Sequence, residues 1–223
     1  MMLQMQQTGN MERKKISLFE GLTEEEYGNV IERLGGTEKL HAKGDEIPVP
    51  DTRAGVLLSG RISFVKTGQD GSRTIFDQLE KNDLFGGPAG VPLGGGSFLL
   101  AEEDSCALYI EYARLTAPDG TADPSIAKVL RNLSAVLTEK IRSLSAHLEI
   151  LSRRTTRGKL LAYFSFLAAE TGSTRFSIPF SQTSLADYLC VDRSAMLREI
   201  RVMKEEGLLE MDRRTVRILN APL

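Results

Sequence analysis

The stretch Ser181-Gln182-Thr183-Ser184-Leu185-Ala186-Asp187-Tyr188-Leu189-Cys190-Val191-Asp192-Arg193-Ser194-Ala195-Met196-Leu197-Arg198-Glu199-Ile200 decides how this 223-residue chain is read. Ser181 suits the N-cap of a short helix carrying Leu185, Ala186 and Leu189, because its hydroxyl can accept from an amide of the unpaired first turn. Cys190-Val191-Asp192 makes a turn. Asp192 then caps a second helix bearing Arg193, Ser194, Met196, Leu197, Arg198, Ile200 and Met203. Ala186 is small enough for two helices to cross closely, and Leu185, Leu189, Val191 and Met196 supply a shared core. That is a helix-turn-helix pattern. The open face of the second helix presents Arg193, Ser194 and Arg198 near its amino-terminal half. A helix in this motif reaches base edges there, and arginine can pair bidentately with guanine. Double-stranded DNA is the expected partner.

Working outward, Gly207 ends the second helix. Leu208 to Met211 and Thr215 to Leu219, on either side of Asp212-Arg213-Arg214, read as a two-stranded wing whose basic turn suits phosphates. Upstream, Arg157 to Glu170 reads as a helix stopped by Thr171-Gly172-Ser173, and Arg175 to Phe180 as a short strand. Charge follows the same division. The chain carries −2 overall, but from Arg153 onward 12 Lys and Arg face 8 Asp and Glu, a balance of +4; the remainder carries 16 against 22, or −6. A basic end behind an acidic body is the layout of a DNA reader with a separate sensing domain.

Between Pro124 and residue 152 the apolar period is that of a long helix. Leu130, Leu133, Leu137, Ile141, Leu144, Leu148 and Leu151 recur at steps of three and four. Pro124 suits an early helical position. So long a stripe needs a cover, and the reading adopted is a parallel pairing with a second copy; packing on its own domain is the alternative. In front of it, Thr23 and Glu26 form a capping box, with Leu22 and Tyr27 placed as a hydrophobic staple, for a helix ending at Gly35-Gly36. From Glu38 to Ile110 short apolar runs alternate with turn signals. The runs are Val56–Leu58, Ile62–Val65, Thr74–Phe76, Phe98–Leu100 and Ala107–Ile110; the turns include Lys43-Gly44-Asp45, Ser59-Gly60, Gln69–Ser72 and Lys81–Asp83. This spacing predicts an antiparallel roll, with Asp70-Gly71 as a hairpin turn. The glycine-rich stretch Gly86–Gly96 reads as a loop.

The order of these elements, together with Leu185–Leu209 and the turns Lys43-Gly44-Asp45-Glu46, Leu57-Leu58-Ser59-Gly60-Arg61-Ile62 and Asn82-Asp83-Leu84-Phe85-Gly86, resembles the cyclic-AMP receptor / fumarate–nitrate regulator (CRP/FNR) family from about Ile16 onward. The resemblance implies an α+β chain in three parts: an antiparallel β-roll sensor domain of the double-stranded β-helix kind (1–123), a dimerisation helix (124–152) and a winged helix-turn-helix (153–223). It implies a homodimeric transcription regulator on a palindromic operator, with a hinge near Arg153-Arg154. It places Arg193, Ser194 and Arg198 at base-reading positions, and Gln182 and Thr183 where the first helix approaches the backbone. Arg213 and Arg214 complete the candidate DNA contacts. RNA polymerase is a further partner if the protein activates. One departure is Cys190, where the family usually has Gly; a positive φ there costs an L-residue about 1 kcal/mol. A buried structural thiol is the reading for this cysteine, with a reactive or metal-binding role as the alternative.

The sensor is read mainly by what it lacks. Family members that hold a cyclic nucleotide use a Gly-Glu pair and an Arg-Ser pair after the Asp-Leu-Phe-Gly turn. Here no Glu follows Gly86, and no Arg occurs from Ile75 to Tyr112, so a cyclic phosphate would lack its cationic partner. Cyclic AMP is not expected, which leaves an unidentified small apolar or organic effector, or none. An amino-terminal cysteine cluster for iron–sulfur sensing is missing. His41 and His147, the only histidines, read as lone surface residues. No cofactor, metal site or catalytic constellation is expected, so the chain reads as a regulator and not an enzyme. Met1–Arg13 has no signal-peptide core and no apolar run approaches a membrane span, so the cytoplasm is the expected compartment. The rival reading is a ligand-binding or protein-interaction module whose DNA-binding domain is degenerate.

Overall fold

The computed structural model describes residues 17–50, 52–87, 96–115, 117 and 123–220. Its residues fall into two compact units, Ile16–Leu144 and Ser145–Leu223, which divide inside one long helix, upstream of the 152/153 boundary read from the sequence. Among the described residues no helix is long and apolar enough to cross a membrane.

The first unit opens with α1 (Glu24–Arg33). The capping box forms as read, with the Thr23 side chain accepting from the Glu26 amide and the Glu26 carboxylate accepting from the Thr23 amide. Tyr27, placed beside Leu22 as a staple, turns its ring edge-on to Phe19 at 5.3 Å. Eight strands follow: β1 (Thr37–His41), β2 (Glu46–Ile47), β3 (Arg53–Ser59), β4 (Ile62–Thr67), β5 (Arg73–Leu79), β6 (Leu84–Gly86), β7 (Ser97–Ala101) and β8 (Ser105–Glu111). They form two four-stranded antiparallel sheets, ordered β1-β8-β3-β6 and β2-β7-β4-β5. The β4–β5 hairpin turns at Gly68–Ser72, where Asp70 accepts from the Ser72 amide and Gly71 takes φ 79°.

Inward side chains alternate with outward ones, so each sheet contributes Leu57, Ile62, Leu79, Phe85, Leu99 and their neighbours to a common apolar layer. Gly55 lets the Phe85 ring lie directly on β3; a Cβ there would meet the ring at 2.2 Å. A second cluster lies between α1, the β1–β8 sheet and the first half of α3 (Pro124–Leu151), through Val30, Leu34, Leu108, Ile126, Val129 and Leu133. The glycine-rich loop expected over Gly86–Gly96 lies mostly outside the described residues.

α3 has Pro124 as its first residue, and Asp123 accepts from the Ser125 amide to cap it. Its stripe does not have a single cover. Leu133 is buried, and Leu130 and Leu137 pack against the roll's own cluster. Ile141, Leu144 and Leu148 instead face outward, 66%, 40% and 69% exposed. The reading of the whole stripe as a seam with a second copy is corrected for its first half, because α1 and the β1–β8 sheet present apolar surface at that level.

The second unit holds the end of α3 and then α4 (Thr156–Thr171), β9 (Arg175–Ser177), α5 (Gln182–Leu189), α6 (Arg193–Glu205), β10 (Leu209–Asp212) and β11 (Thr215–Ile218). α4 ends at Gly172, in the left-handed conformation, as Thr171-Gly172-Ser173 suggests. The wing has three strands and not two. β9 pairs with β11 through Phe176 and Val216, giving the order β10-β11-β9. Phe176, Ile178 and Phe180 are buried. Tyr163, Phe164, Leu160, Leu185, Leu189 and Met196 are also buried in this unit.

Candidate nucleic-acid interface

Both helices of the motif begin on the caps expected of them. The Ser181 hydroxyl accepts from the Ser184 amide at 3.0 Å, and the Asp192 carboxylate from the Ala195 amide at 2.7 Å. Each cap satisfies an amide that the first helical turn leaves without a partner. The turn between them closes on Cys190, whose φ of 50° lies in the left-handed region, so its amide reaches the Asp187 carbonyl and the Val191 amide the Ala186 carbonyl. Ala186, Leu185 and Leu189 on α5 and Met196, Ile200 and Met203 on α6 are buried. α6 has no freedom to rotate without exposing them.

That fixed azimuth decides what α6 shows to solvent. Arg193, Ser194 and Arg198 are exposed. Arg193 donates to the Gln182 Oε1 at 3.4 Å, so the start of α6 and the start of α5 meet at their exposed ends. Thr183 is exposed beside Gln182. Arg213 and Arg214 form the exposed turn between β10 and β11, with Arg213 at φ 50°. One cation was missed. Arg201 is exposed three residues after Arg198 and seven after Ser194, on the same α6 face by the helical period of about 3.6 residues. That period was the signal available for it. Arg201 also borders a shallow groove on α6 with Leu197, Ile200, Lys204 and Glu205.

Other residues hold this arrangement from behind. The Arg157 guanidinium on α4 pairs with the carboxylates of Glu206 and Glu199, and Lys159 donates to the Leu189 and Cys190 carbonyls at 2.8 and 3.3 Å. The bond to Arg157 lowers the Glu206 carboxyl below its ordinary range. His147, near the end of α3, stacks on Tyr188 with ring centroids 3.8 Å apart and planes 2° apart, and its Nε2 lies 2.9 Å from the Tyr188 carbonyl. Burial pushes the Tyr188 phenol up to about 12.

Three readings are corrected here. His147 and His41 are buried, not surface residues; His41 Nε2 lies 2.9 Å from the Tyr109 hydroxyl. Each ring has an aromatic neighbour and a polar partner, which repays its burial. Cys190 is exposed, not a buried structural thiol, because the left-handed turn carries its side chain away from the α5–α6 core. Among the described residues no three His, Cys, Asp or Glu side chains are grouped to hold a metal ion.

A winged helix-turn-helix with exposed arginines along its second helix is the architecture of a DNA-binding transcription regulator. Residues 158–222 match the family model of the Crp-like helix-turn-helix domain. The second unit therefore carries a Crp-like helix-turn-helix domain, and the chain shares the fold of solved regulators of this kind. Among solved structures, the chain is similar to a CooA variant from Carboxydothermus hydrogenoformans, with TM-score 0.69 and 21% identity over 92% of each chain. FixK2 from Bradyrhizobium japonicum has TM-score 0.63 and 20% identity over 83% of this chain and 93% of its own. The regulator CLP of Xanthomonas campestris has TM-score 0.64 and 15% identity over 87% of this chain and 100% of its own. No curated protein matches the chain in sequence.

Proposed function

We propose that the protein binds a palindromic operator as a homodimer and sets transcription from it, with α6 in the major groove and the β10–β11 turn on phosphate. The observation that carries this reading is the exposed side of α6, with Arg193 at its start and Ser194, Arg198 and Arg201 on one flank, together with the exposed Arg213-Arg214 turn of the wing. Gln182 and Thr183 suit backbone contacts at the start of α5. The uncovered Ile141, Leu144 and Leu148 supply a second-copy seam on the outer half of α3. A two-fold pairing sets half-sites about one helical turn apart.

Cyclic AMP is not the effector in this reading. No arginine occurs from Ile75 to Tyr112 to receive a cyclic phosphate. Val49, Phe64, Leu79, Leu84 and Leu99 line an apolar pocket in the roll. Its two charged residues, Asp77 and Lys140, are paired with each other.

The test is selection of genomic DNA fragments by the purified full-length protein at two salt concentrations, without added ligand. Recovery of one palindromic sequence is expected. Arg193→Ala with Arg198→Ala is expected to lose operator preference while the dimer persists; each bidentate arginine contributes about 1–3 kcal/mol of base discrimination. Retention of full preference by the double variant would remove Arg193 and Arg198 from the reading surface, whereas a wild type that prefers no sequence would transfer support to the rival, a binding module with a degenerate reader.

A further inference from the structure

Arg157 sits at the second position of α4, outside every surface assigned above to DNA. Its guanidinium nevertheless reaches two points of α6. It donates bidentately to the Glu206 carboxylate at the carboxy-terminal cap, and lies 3.5 Å from Glu199, two turns upstream. Positions 199 and 206 are seven residues apart, about 10 Å along the axis. At about 100° per residue they share one flank of α6, while 194, 198 and 201 share another. Two residues further along α4, the Lys159 ammonium lies on the Leu189 and Cys190 carbonyls. A cation at a helix carboxy-terminus meets the partial negative charge of carbonyls the helix leaves open. The first turn of α4 therefore grips both helices of the motif, α5 at its end and α6 at two points along its back.

The arrangement does not make sense as a stability device. The three side chains of the Arg157 cluster are each about a quarter or more exposed, and exposed pairs contribute little, typically under 1 kcal/mol. A planar fork engaging two carboxylates on one helix is instead suited to fixing an angle, since a fork–fork pair adds geometric specificity. Burial of Met196, Ile200 and Met203 sets which face of α6 turns inward but leaves small tilts unopposed. We infer that Arg157, supported by Lys159, is a positioning residue that fixes the pitch of α6, so that Ser194, Arg198 and Arg201 meet base edges in register. The inference rests on the DNA-reading function proposed above.

The experiment compares binding of a selected operator and a scrambled duplex, across several salt concentrations, for full-length wild type, Arg157→Met, Arg157→Lys and Glu206→Gln. Arg157→Met is expected to weaken operator binding by roughly tenfold or more, the scale of one misplaced bidentate contact. Its scrambled-duplex affinity should change by only about the one counterion that a lost charge releases. Arg157→Lys, which keeps the charge and loses the fork, should recover the scrambled-duplex affinity in full and the operator affinity in part. Glu206→Gln is the discriminating variant. It removes a negative charge from the DNA-binding unit, so a purely electrostatic account has it bind tighter, whereas a positioning role has it bind the operator more weakly at unchanged melting temperature. Operator binding by Glu206→Gln at or above the wild-type level, or equal losses on both duplexes for Arg157→Met, would overturn the inference. A wild-type protein that prefers no sequence would overturn the DNA-reading function and this inference with it.

Discussion

At position 190 an L-residue occupies a left-handed turn that glycine would enter without strain. The cost of that conformation is about 1–2 kcal/mol, partly offset because cysteine has less unfolded freedom to lose than glycine. Cys190→Gly is therefore expected to stabilise the protein by up to about 1 kcal/mol in urea denaturation and to leave operator affinity unchanged. The left-handed conformation was suggested only by the glycine that the resembling family places here, and the exposure of the thiol was not legible at all. Cysteine is usually a core residue, and only the backbone at this turn sends its side chain outward. Histidine was misread for the opposite reason, since nothing in sequence marks His41 as sitting beneath Tyr109. Burial, reinforced by the nearby Lys39 charge and opposed by Asp45, lowers the His41 imidazole below its ordinary value of 6.5. The unfolded chain then takes up this proton first as pH falls. Stability is lost between about pH 6.5 and the lower folded value, and is level above it. His41→Gln should flatten that part of a melting-temperature profile between pH 7 and 5.

Helices were legible at their ends because capping is local. Thr23, Ser181 and Asp192 lie within three residues of the amides they bond, so sequence carries the whole interaction. Strands were legible only where alternation or continuous apolarity marked them. β1, Thr-Glu-Lys-Leu-His, is an edge strand buried only at His41, and β6 is three residues long, too short to show a period. The strand Arg175–Ser177 was legible, but its place in the wing was not, because the β9–β11 pairing joins residues about 40 apart. Long-range contacts also escaped within the first unit, where Lys140 on α3 pairs with Asp77 on β5, both side chains less than a fifth exposed. Neither charge announces the other across that distance in the chain. Removing Lys140 leaves the Asp77 carboxylate beside an apolar pocket, a loss of up to about 3–5 kcal/mol, whereas removing both can be nearly neutral. Lys140→Met should thus destabilise strongly, and Lys140→Met with Asp77→Leu should recover most of the loss in a double-mutant cycle read by denaturant unfolding. Equal losses in the single and double variants would mean that shape, and not charge, holds α3 at this point.

At the scale of the molecule, the order of parts was legible because each part has its own texture: short apolar runs between turns for the roll, a 3.6-residue period for the helices. It could not apportion the α3 stripe, because a helix covered by its own domain and one covered by a second copy carry the same repeat. The packing separates the two uses within one helix. Ile126, Val129 and Leu133 are spent on the roll, while Ile141, Leu144 and Leu148 are left to solvent in the isolated chain. Three large apolar side chains in line would expose a continuous strip, and a strip of this kind on a soluble monomer marks an interface. If a second copy covers it, the folded state is stabilised by mass action, and the melting temperature rises with protein concentration. A tenfold increase in concentration should shift the wild-type transition upward and leave that of Ile141→Glu with Leu148→Glu unmoved. The same double variant should sediment as a monomer and lose most of its operator affinity, since a single reader contacts only one half-site. Concentration-independent melting of the wild type would instead assign the strip to a different partner and remove the two-fold operator from the proposed function.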